Sequence, residues 1–272
     1  MWSPKNPTAG AIINISSGGR PRRPLPCLPP LGQGRTRHLL QQADALGTAP
    51  NGFSGTAGLQ ELLDAHLDRN TEPSLAVRSV YGQYSPWLVY LDPTWAAASA
   101  DRIVPMDVDS REYWQAAWDS YLRFAGSYDD VFDILHLRYE LAVDLMAAAP
   151  DSSEADTELL GSHLMAFFAR GKILKAADSL IDRFFRQAAP KARRKTLEFV
   201  GRLLMQWSGS LPSDVADRLM LLLDDRLGRA ATFEPPERQE LAAFGGWFIS
   251  GRLDAAWSLR TLSAILDRKS VV

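Results

Sequence analysis

Apolar residues recur every three or four positions from residue 54 almost to the end of this 272-residue chain. This spacing follows the 3.6-residue turn of an α-helix and gives each segment one apolar face. Sustained alternation of apolar and polar β-branched residues, which a half-buried strand needs, does not occur in the sequence. Such a chain buries its apolar surface by packing helix against helix, so the sequence predicts an all-α fold.

Prolines and capping residues mark where the helices start. Ser85–Pro86 and Asp92–Pro93 each place a capping side chain before a proline at the first helical position. Together the two signals predict short helices joined at Asp92. Pro190 and Asp254 are further start signals, each followed by an apolar stripe at helical spacing.

The stretch EYWQAAWDSYLRF holds five aromatic residues in thirteen positions. Asp109 precedes Glu112, the first residue of this stretch, by three positions, which is the spacing of a capping box. Trp114, Trp118 and Tyr121 follow at i, i+4 and i+7, which places them on one face of a helix. A surface that stacks on nucleic acid interleaves aromatic residues with lysine and arginine, whereas acidic neighbours predominate here. We therefore interpret the stripe as buried.

Two stretches, FFARGKILKAADSLI and WFISGRLDAAWSLRTL, share a form in which two aromatics precede a glycine, a basic residue and a helix. The glycine of this turn is Gly171 in the first stretch and Gly251 in the second, and a looser copy between them contains Gly209. The three glycines are 38 and 42 residues apart. That period is close to the roughly 40–47 residues of HEAT and armadillo hairpins. Each glycine would supply the left-handed cap that ends the first helix of a hairpin. The pattern predicts hairpins stacked as an irregular HEAT-like α-solenoid, with an irregular helical bundle as the alternative.

The first fifty residues differ from the rest. They hold eight of the seventeen prolines and six Lys or Arg residues, and no acidic residue occurs before Asp44. This composition predicts a disordered tail at residues 1–50, because so few apolar side chains cannot offset the entropy cost of ordering. A basic or proline-rich docking arm and a translation artefact are the alternatives. Residues 51–272 are predicted to form one all-helical domain.

Charge and cysteine content exclude several classes of protein. The net charge is −2, so no overall field attracts the chain to nucleic acid or to an anionic membrane. No apolar run reaches the roughly 18 residues that span a bilayer. Cys27 is the sole cysteine, which fits a reducing compartment, so we expect a cytoplasmic protein. Arginine outnumbers lysine 24 to six, as is typical of a GC-rich bacterial gene.

Motifs that carry chemistry are missing from the sequence. Gly171–Lys172 is no phosphate loop, because Ile173 follows it and Ala166 stands where the first glycine belongs. The four histidines are scattered, and His163 lies on an apolar helix face, where we expect it to be a hydrogen-bonded core residue. The sequence therefore predicts no catalytic, metal or cofactor-binding residue, and a protein that is not an enzyme.

One basic cluster could bind a partner. It consists of Lys191, Arg193, Arg194 and Lys195 at the start of a helix. It would contact an acidic protein or nucleic acid, and a solvated helix face is the alternative interpretation.

The segments VYGQYSPWLVYLDPTWAAASADRIVP, YWQAAWDSYL and FGGWFISGRLDAAWSLRTL resemble the helical C-terminal regions of large bacterial STAND/NACHT-like ATPases, several of them linked to phage defence. The resemblance runs from about Ser74 to Leu266. It implies that the chain is a piece of a longer protein, in which a P-loop NTPase precedes a helical sensor or scaffold. That family's phosphate-binding motif has no counterpart here, so no functional residue is carried over.

The function expected from the residues and the resemblance is a non-enzymatic helical scaffold or sensor that binds a protein partner. One alternative is a nucleic-acid-binding helical repeat that uses the basic cluster. The other is an enzyme of unrecognised type, with its site on the concave face of the helices. The sequence identifies neither the partner nor the oligomeric state.

Overall fold

The computed structural model describes residues 52–55, 58–148, 154–229 and 239–269, which form eleven α-helices and no strand. In chain order the helices are α1 Leu59–Leu67, α2 Leu75–Leu91, α3 Pro93–Ile103, α4 Arg111–Phe124, α5 Asp129–Ala148, α6 Glu154–Ala169, α7 Leu180–Gln187, α8 Pro190–Gln206, α9 Ser213–Arg229, α10 Gly245–Ile249 and α11 Ala255–Lys269. Short 3-10 turns occupy Gly52–Gly55, Val108–Ser110 and Gln239–Phe244. The predicted all-α class is confirmed for these residues, and the predicted tail, residues 1–50, lies outside them.

Each even-numbered helix from α2 onward packs on the next even-numbered helix, so that α2, α4, α6, α8 and α10 follow one another. Small residues allow the closest approaches. A Cβ atom added to Gly82 of α2 would lie 1.9 Å from the carbonyl oxygen of Ala117 in α4. A Cβ atom added to Gly161 of α6 would lie 2.2 Å from the hydroxyl of Thr196 in α8. Of the odd-numbered helices, α5 contacts both α3 and α7. The HEAT-like solenoid itself stays a prediction.

The three glycines of the predicted repeat all adopt the left-handed conformation. Their φ angles are 77° at Gly171, 80° at Gly209 and 63° at Gly251, as the capping argument expects. An arginine completes two of these turns. Arg218 donates to the last carbonyl of α6 at 3.0 and 2.8 Å, and Arg252 donates to two carbonyls in the turn after α8 at 2.6 and 2.8 Å.

Other arginines also bind the ends of helices. Arg78 donates to the last two carbonyls of α1, Arg138 to the carbonyl that follows α3, and Arg193 to the carbonyl that follows α7. The last carbonyls of a helix have no partner within it and carry partial negative charge. A guanidinium offers five donors and a fixed charge, so it satisfies both needs at once. The arginine excess therefore has a structural role in this fold.

The proline signals at the second and third helices have different outcomes. Asp92 caps α3 as predicted, since its carboxylate accepts from the N–H of Trp95 at 2.8 Å. The predicted start at Ser85–Pro86 is wrong, because α2 continues through Pro86 to Leu91. Proline removes one N–H from the helix. The Ser85 hydroxyl donates to the carbonyl of Tyr81 at 3.0 Å, which supplies a bond in the same turn.

Two further capping predictions can be compared with the structure. Asp254 accepts from the N–H three residues on at 2.6 Å, so the cap of α11 is confirmed. The capping box at Asp109 and Glu112 is wrong. Asp109 lies inside a 3-10 turn, and the residue that precedes α4 is Ser110. The Ser110 hydroxyl contacts the guanidinium of Arg69 and makes no capping bond to the helix.

The aromatic stripe of α4 lies inside the protein, as predicted. Trp114, Trp118 and Tyr121 are 6%, 2% and 0% exposed. The two indole rings stack with centroids 5.7 Å apart, and Trp118 meets the ring of Tyr139 edge-on at 4.9 Å. Such aromatic pairs add stability beyond the area they bury. The stripe joins α4 to α5 and has no free face for a ligand.

Candidate interaction surface

The predicted basic cluster does not form one surface. Arg193 is 4% exposed and points into the protein, which contradicts its assignment to a partner-binding face. Arg194 and Lys195 are partly exposed and lie 3.4 and 3.3 Å from the Glu198 carboxylate. Lys191 is exposed. Partner binding by these last three stays a prediction, without the fourth charge.

The burial of Arg193 had a signal in the sequence. Arg193 lies four positions before Leu197 and seven before Val200, and both of these residues are buried on α8. Residues at these spacings share a helix face. The basic cluster was predicted from charges that are adjacent in sequence, and the helix face on which Arg193 lies was not considered.

Arg193 belongs to a buried group of three charges. Glu240 is fully buried and accepts from Arg193 at 2.9 Å and from Arg226 at 2.9 and 2.6 Å. Burial lowers the pKa of Arg226, and Glu240 opposes that shift. The guanidinium of Arg226 also lies 5.0 Å from the ring centroid of Phe185. These contacts join α7, α8, α9 and the Gln239–Phe244 turn, and they leave no carboxylate oxygen exposed for chemistry.

A second buried polar chain runs through the aromatic core. The hydroxyls of Tyr121 and Tyr139 are 2.9 Å apart, and the Tyr139 hydroxyl lies 2.8 Å from Nδ1 of His163. Burial lowers the pKa of His163 to about 4, so its ring is neutral at pH 7. Burial also raises the pKa of both tyrosines. His163 is thus the hydrogen-bonded core residue that was predicted.

The cavities found among the described residues are small. One cavity, between α6, α8 and α9, has a volume of about 20 Å³ and apolar walls that include Met165, Val200 and Leu219. That is room for about one water molecule, whereas small-molecule sites measure roughly 300–1,000 Å³. The ranges that the structure describes contain no group of three side chains placed to hold a metal ion.

An acidic ridge with an exposed leucine lies on α5. Its outer face carries carboxylates on both sides of one leucine, in the order Asp130, Asp133, Leu137, Glu140 and Asp144. These positions follow one another at three- and four-residue steps, so they form a single ridge along the helix. Leu137 is 45% exposed at its centre.

The outer face of α9 repeats this arrangement. Asp214, Asp217, Leu221 and Asp224 are all exposed and have the same spacing as the first four positions on α5. Leu221 is 54% exposed. The sequence held this signal in the repeated pattern Asp-x-x-Asp-x-x-x-Leu-x-x-acid. The pattern alone indicates an acidic helix face, but it does not show that the leucine at its centre is exposed.

Nearby cations neutralise only part of this acidic surface. Lys172 lies 2.7 Å from the carboxylate of Asp133, and Arg183 of α7 forms an ion pair with Asp144. On α9, Arg218 lies 2.6 Å from Asp214. Exposed ion pairs of this kind contribute little to stability. Both ridges therefore combine one apolar side chain with a local excess of negative charge.

None of the helices in the described ranges is long and apolar enough to cross a membrane. Comparisons of the chain with protein-family models, with curated proteins and with solved structures found no match in any of the three. The resemblance to STAND/NACHT-like ATPases therefore stays a prediction.

Proposed function

We propose that this chain is a non-enzymatic helical scaffold that binds a protein partner through the outer faces of α5 and α9. One observation carries the proposal, namely that both helices present the same ridge of an exposed leucine between carboxylates. A ridge that only kept the protein in solution would have no need of a leucine at its centre. A leucine ringed by charges is suited to a partner that supplies an apolar pocket and cations around it.

The chemistry of the ridges indicates the kind of partner. A basic amphipathic segment would place an apolar residue against Leu137 or Leu221 and its lysine or arginine side chains against the flanking carboxylates. Charge complementarity of this type speeds association and sets the register of the complex. The same acidity repels a phosphate backbone, so the ridges favour a protein partner over the nucleic-acid alternative.

The stack of even-numbered helices and the three left-handed glycine turns support an irregular HEAT-like solenoid as the scaffold. Stacked hairpins bury their apolar faces against their neighbours and leave extended outer surfaces for binding. We further propose that the scaffold is part of a STAND/NACHT-like ATPase and resides in the cytoplasm. The support for this part is the sequence resemblance from Ser74 to Leu266.

A binding experiment can test the ridges directly. The probe is a labelled amphipathic peptide of lysine and leucine, about 18 residues long so that it can form a helix. We expect the parent protein to bind it in fluorescence anisotropy, and the double variant Leu137→Glu/Leu221→Glu to bind about tenfold more weakly, which corresponds to about 1.4 kcal/mol. The substitutions add negative charge, so attraction by charge alone would strengthen binding instead.

The matched control is Val108→Glu. This residue is 89% exposed in the turn before α4, and the change adds one negative charge, half of what the double variant adds, elsewhere on the surface. We expect it to leave peptide binding unchanged. Equal or tighter binding by the double variant would overturn the proposal, because the leucines would then contribute nothing.

A further inference from the structure

Helix α11 has two apolar faces, and within the described part of the chain only one of them is buried. The inner face carries residues at four-residue steps, namely Trp257, Thr261 and Ile265. Thr261 is 5% exposed and Ile265 is 3% exposed. The indole N–H of Trp257 lies 3.2 Å from a carboxylate oxygen of Asp224, which fixes this face towards α9.

The outer face of α11 carries a second stripe. Ala256, Leu259, Ser263 and Leu266 are all exposed and follow at i, i+3, i+7 and i+10. Leu259 is 70% exposed and Leu266 is 53% exposed. At 100° per residue, the two leucines lie roughly 180–200° around the helix axis from Trp257. A helix with apolar residues on opposite faces is typical of one that is covered on both sides.

The contrast with α9 shows that this stripe is not a general property of the fold. On α9 the outer face carries one leucine flanked by aspartates. The outer face of α11 instead carries two leucines, an alanine and a serine, with no charged residue between them on this face. The spacing on α11 is that of the seam of a helix pair, in which small residues alternate with leucines. Ala256 and Ser263 would let a second helix approach closely.

The charges beside the stripe identify what the second helix is. Arg260 and Asp267 are seven residues apart, so they lie on the same flank of α11, and both are exposed. An antiparallel pair brings the same flank of both helices together. Two copies of α11 that cross near Ser263 would therefore place Arg260 of each copy beside Asp267 of the other.

We propose that α11 pairs with α11 of a second copy of this chain, antiparallel and about a two-fold axis near Ser263. Such an interface is self-complementary, since each copy supplies both the leucines and both signs of charge. A head-to-tail filament is not favoured. The first helix, α1, exposes Glu61 and Ala65, and Asp68 is exposed just after it, so this helix offers little apolar surface to α11.

The size of the interface sets the affinity. One helix pair of this length buries less than the roughly 1,200–2,000 Å² of a stable complex, so the dimer is expected to dissociate in the micromolar range, about 1–100 μM. Sedimentation velocity of the full chain across that range should show a reversible monomer–dimer equilibrium. Leu259→Glu should abolish the dimer, because it puts like charges in the seam.

Charge exchange gives the sharper test. Arg260→Glu alone and Asp267→Arg alone each bring like charges together in the pair, so each should weaken the dimer about tenfold or more. The double variant Arg260→Glu/Asp267→Arg restores opposite charges and should recover dimerisation. Circular dichroism of every variant checks that the fold is retained.

The control is Leu174→Glu, which makes the same change at a leucine that is 67% exposed between α6 and α7 and should leave dimerisation unaffected. A parent protein that stays monomeric throughout the concentration range would overturn the proposal, and a different helix would then cover α11. A folded double variant as weak as either single variant would also overturn it. The result is independent of the ridges on α5 and α9, since it measures self-association and not peptide binding.

Discussion

Substitution of Gly82 by alanine separates what local sequence predicts from what the packing requires. Gly82 lies inside α2, where a glycine is about 1 kcal/mol less favourable than alanine. From the sequence alone, Gly82→Ala should therefore stabilise the protein. In the structure the same residue meets the backbone of α4, and the new methyl group has no space.

The distances give the size of the conflict. The added carbon would lie 1.9 Å from the carbonyl oxygen of Ala117 and 2.8 Å from its Cα, where ordinary contact begins near 3.4 Å. All these atoms are backbone, so no side chain can rotate away and α2 must move from α4 by about 1–1.5 Å. Overpacking of this kind costs about 1–3 kcal/mol and sometimes more. Since the two helices pack closely along much of their length, we expect the upper part of that range, and a net loss of about 2 kcal/mol after the helix-propensity gain.

Thermal unfolding followed by circular dichroism measures this loss. For a domain of about 200 residues, 2 kcal/mol lowers Tm by about 4–8 °C. The matched control is Gly228→Ala on α9, where nothing lies within 4 Å of the added carbon. The control should raise stability slightly, by about 0.5 kcal/mol. If Gly82→Ala melts at or above the parent temperature, the close crossing of α2 and α4 is wrong.

Two further predictions concern α4. Burial raises the pKa of Asp119 to about 6, with the Asp156 carboxylate adding to the shift. The charged form destabilises the fold above that pH, so Asp119→Asn should raise the free energy of unfolding by about 1–2 kcal/mol at pH 7.5, after allowance for solvent screening. The stability difference between Asp119→Asn and the parent should shrink as the pH falls through 6 towards 4. Urea denaturation at several pH values measures it, and a difference that stays constant over this range would contradict the prediction. Trp118→Ala removes a buried ring and should cost about 3–5 kcal/mol, whereas exposed Gln115→Ala should change stability by about 0.5 kcal/mol or less. An unchanged melting temperature for Trp118→Ala would place that ring on the surface.

Much of the fold could be predicted because it depends on residues close together in sequence. The apolar period fixes the helical class, and the stripe of Trp114, Trp118 and Tyr121 identified the buried face of α4 before any contact was known. Gly171 and Gly251 have positive φ because a helix that ends in a tight turn needs a residue without Cβ there. Each of these inferences uses geometry within about one helical turn.

The candidate surfaces could be predicted only in part. Leu137 and Leu221 stand in a repeated pattern that the sequence displays, yet their exposure depends on which neighbouring helix covers which face. The assignment of Arg193 to the basic cluster was wrong for the same reason. Arg193 belongs to a run of cations in sequence, but in three dimensions it lies under Glu240, which is 47 residues away.

The sequence by itself determined that these segments are helical, which face of most of them is apolar and where three glycines adopt the left-handed conformation, although it misplaced one helix start at Ser85–Pro86. Only the tertiary structure decided what those faces meet: that Gly82 must stay a glycine, that arginines from distant segments bind the ends of α3, α6 and α8, and that the outer face of α11 is exposed. Helix periodicity is set by backbone geometry that every residue shares. The pairing of helices is set by shape and charge between side chains brought together from far along the chain, and the linear order of residues does not record those distances.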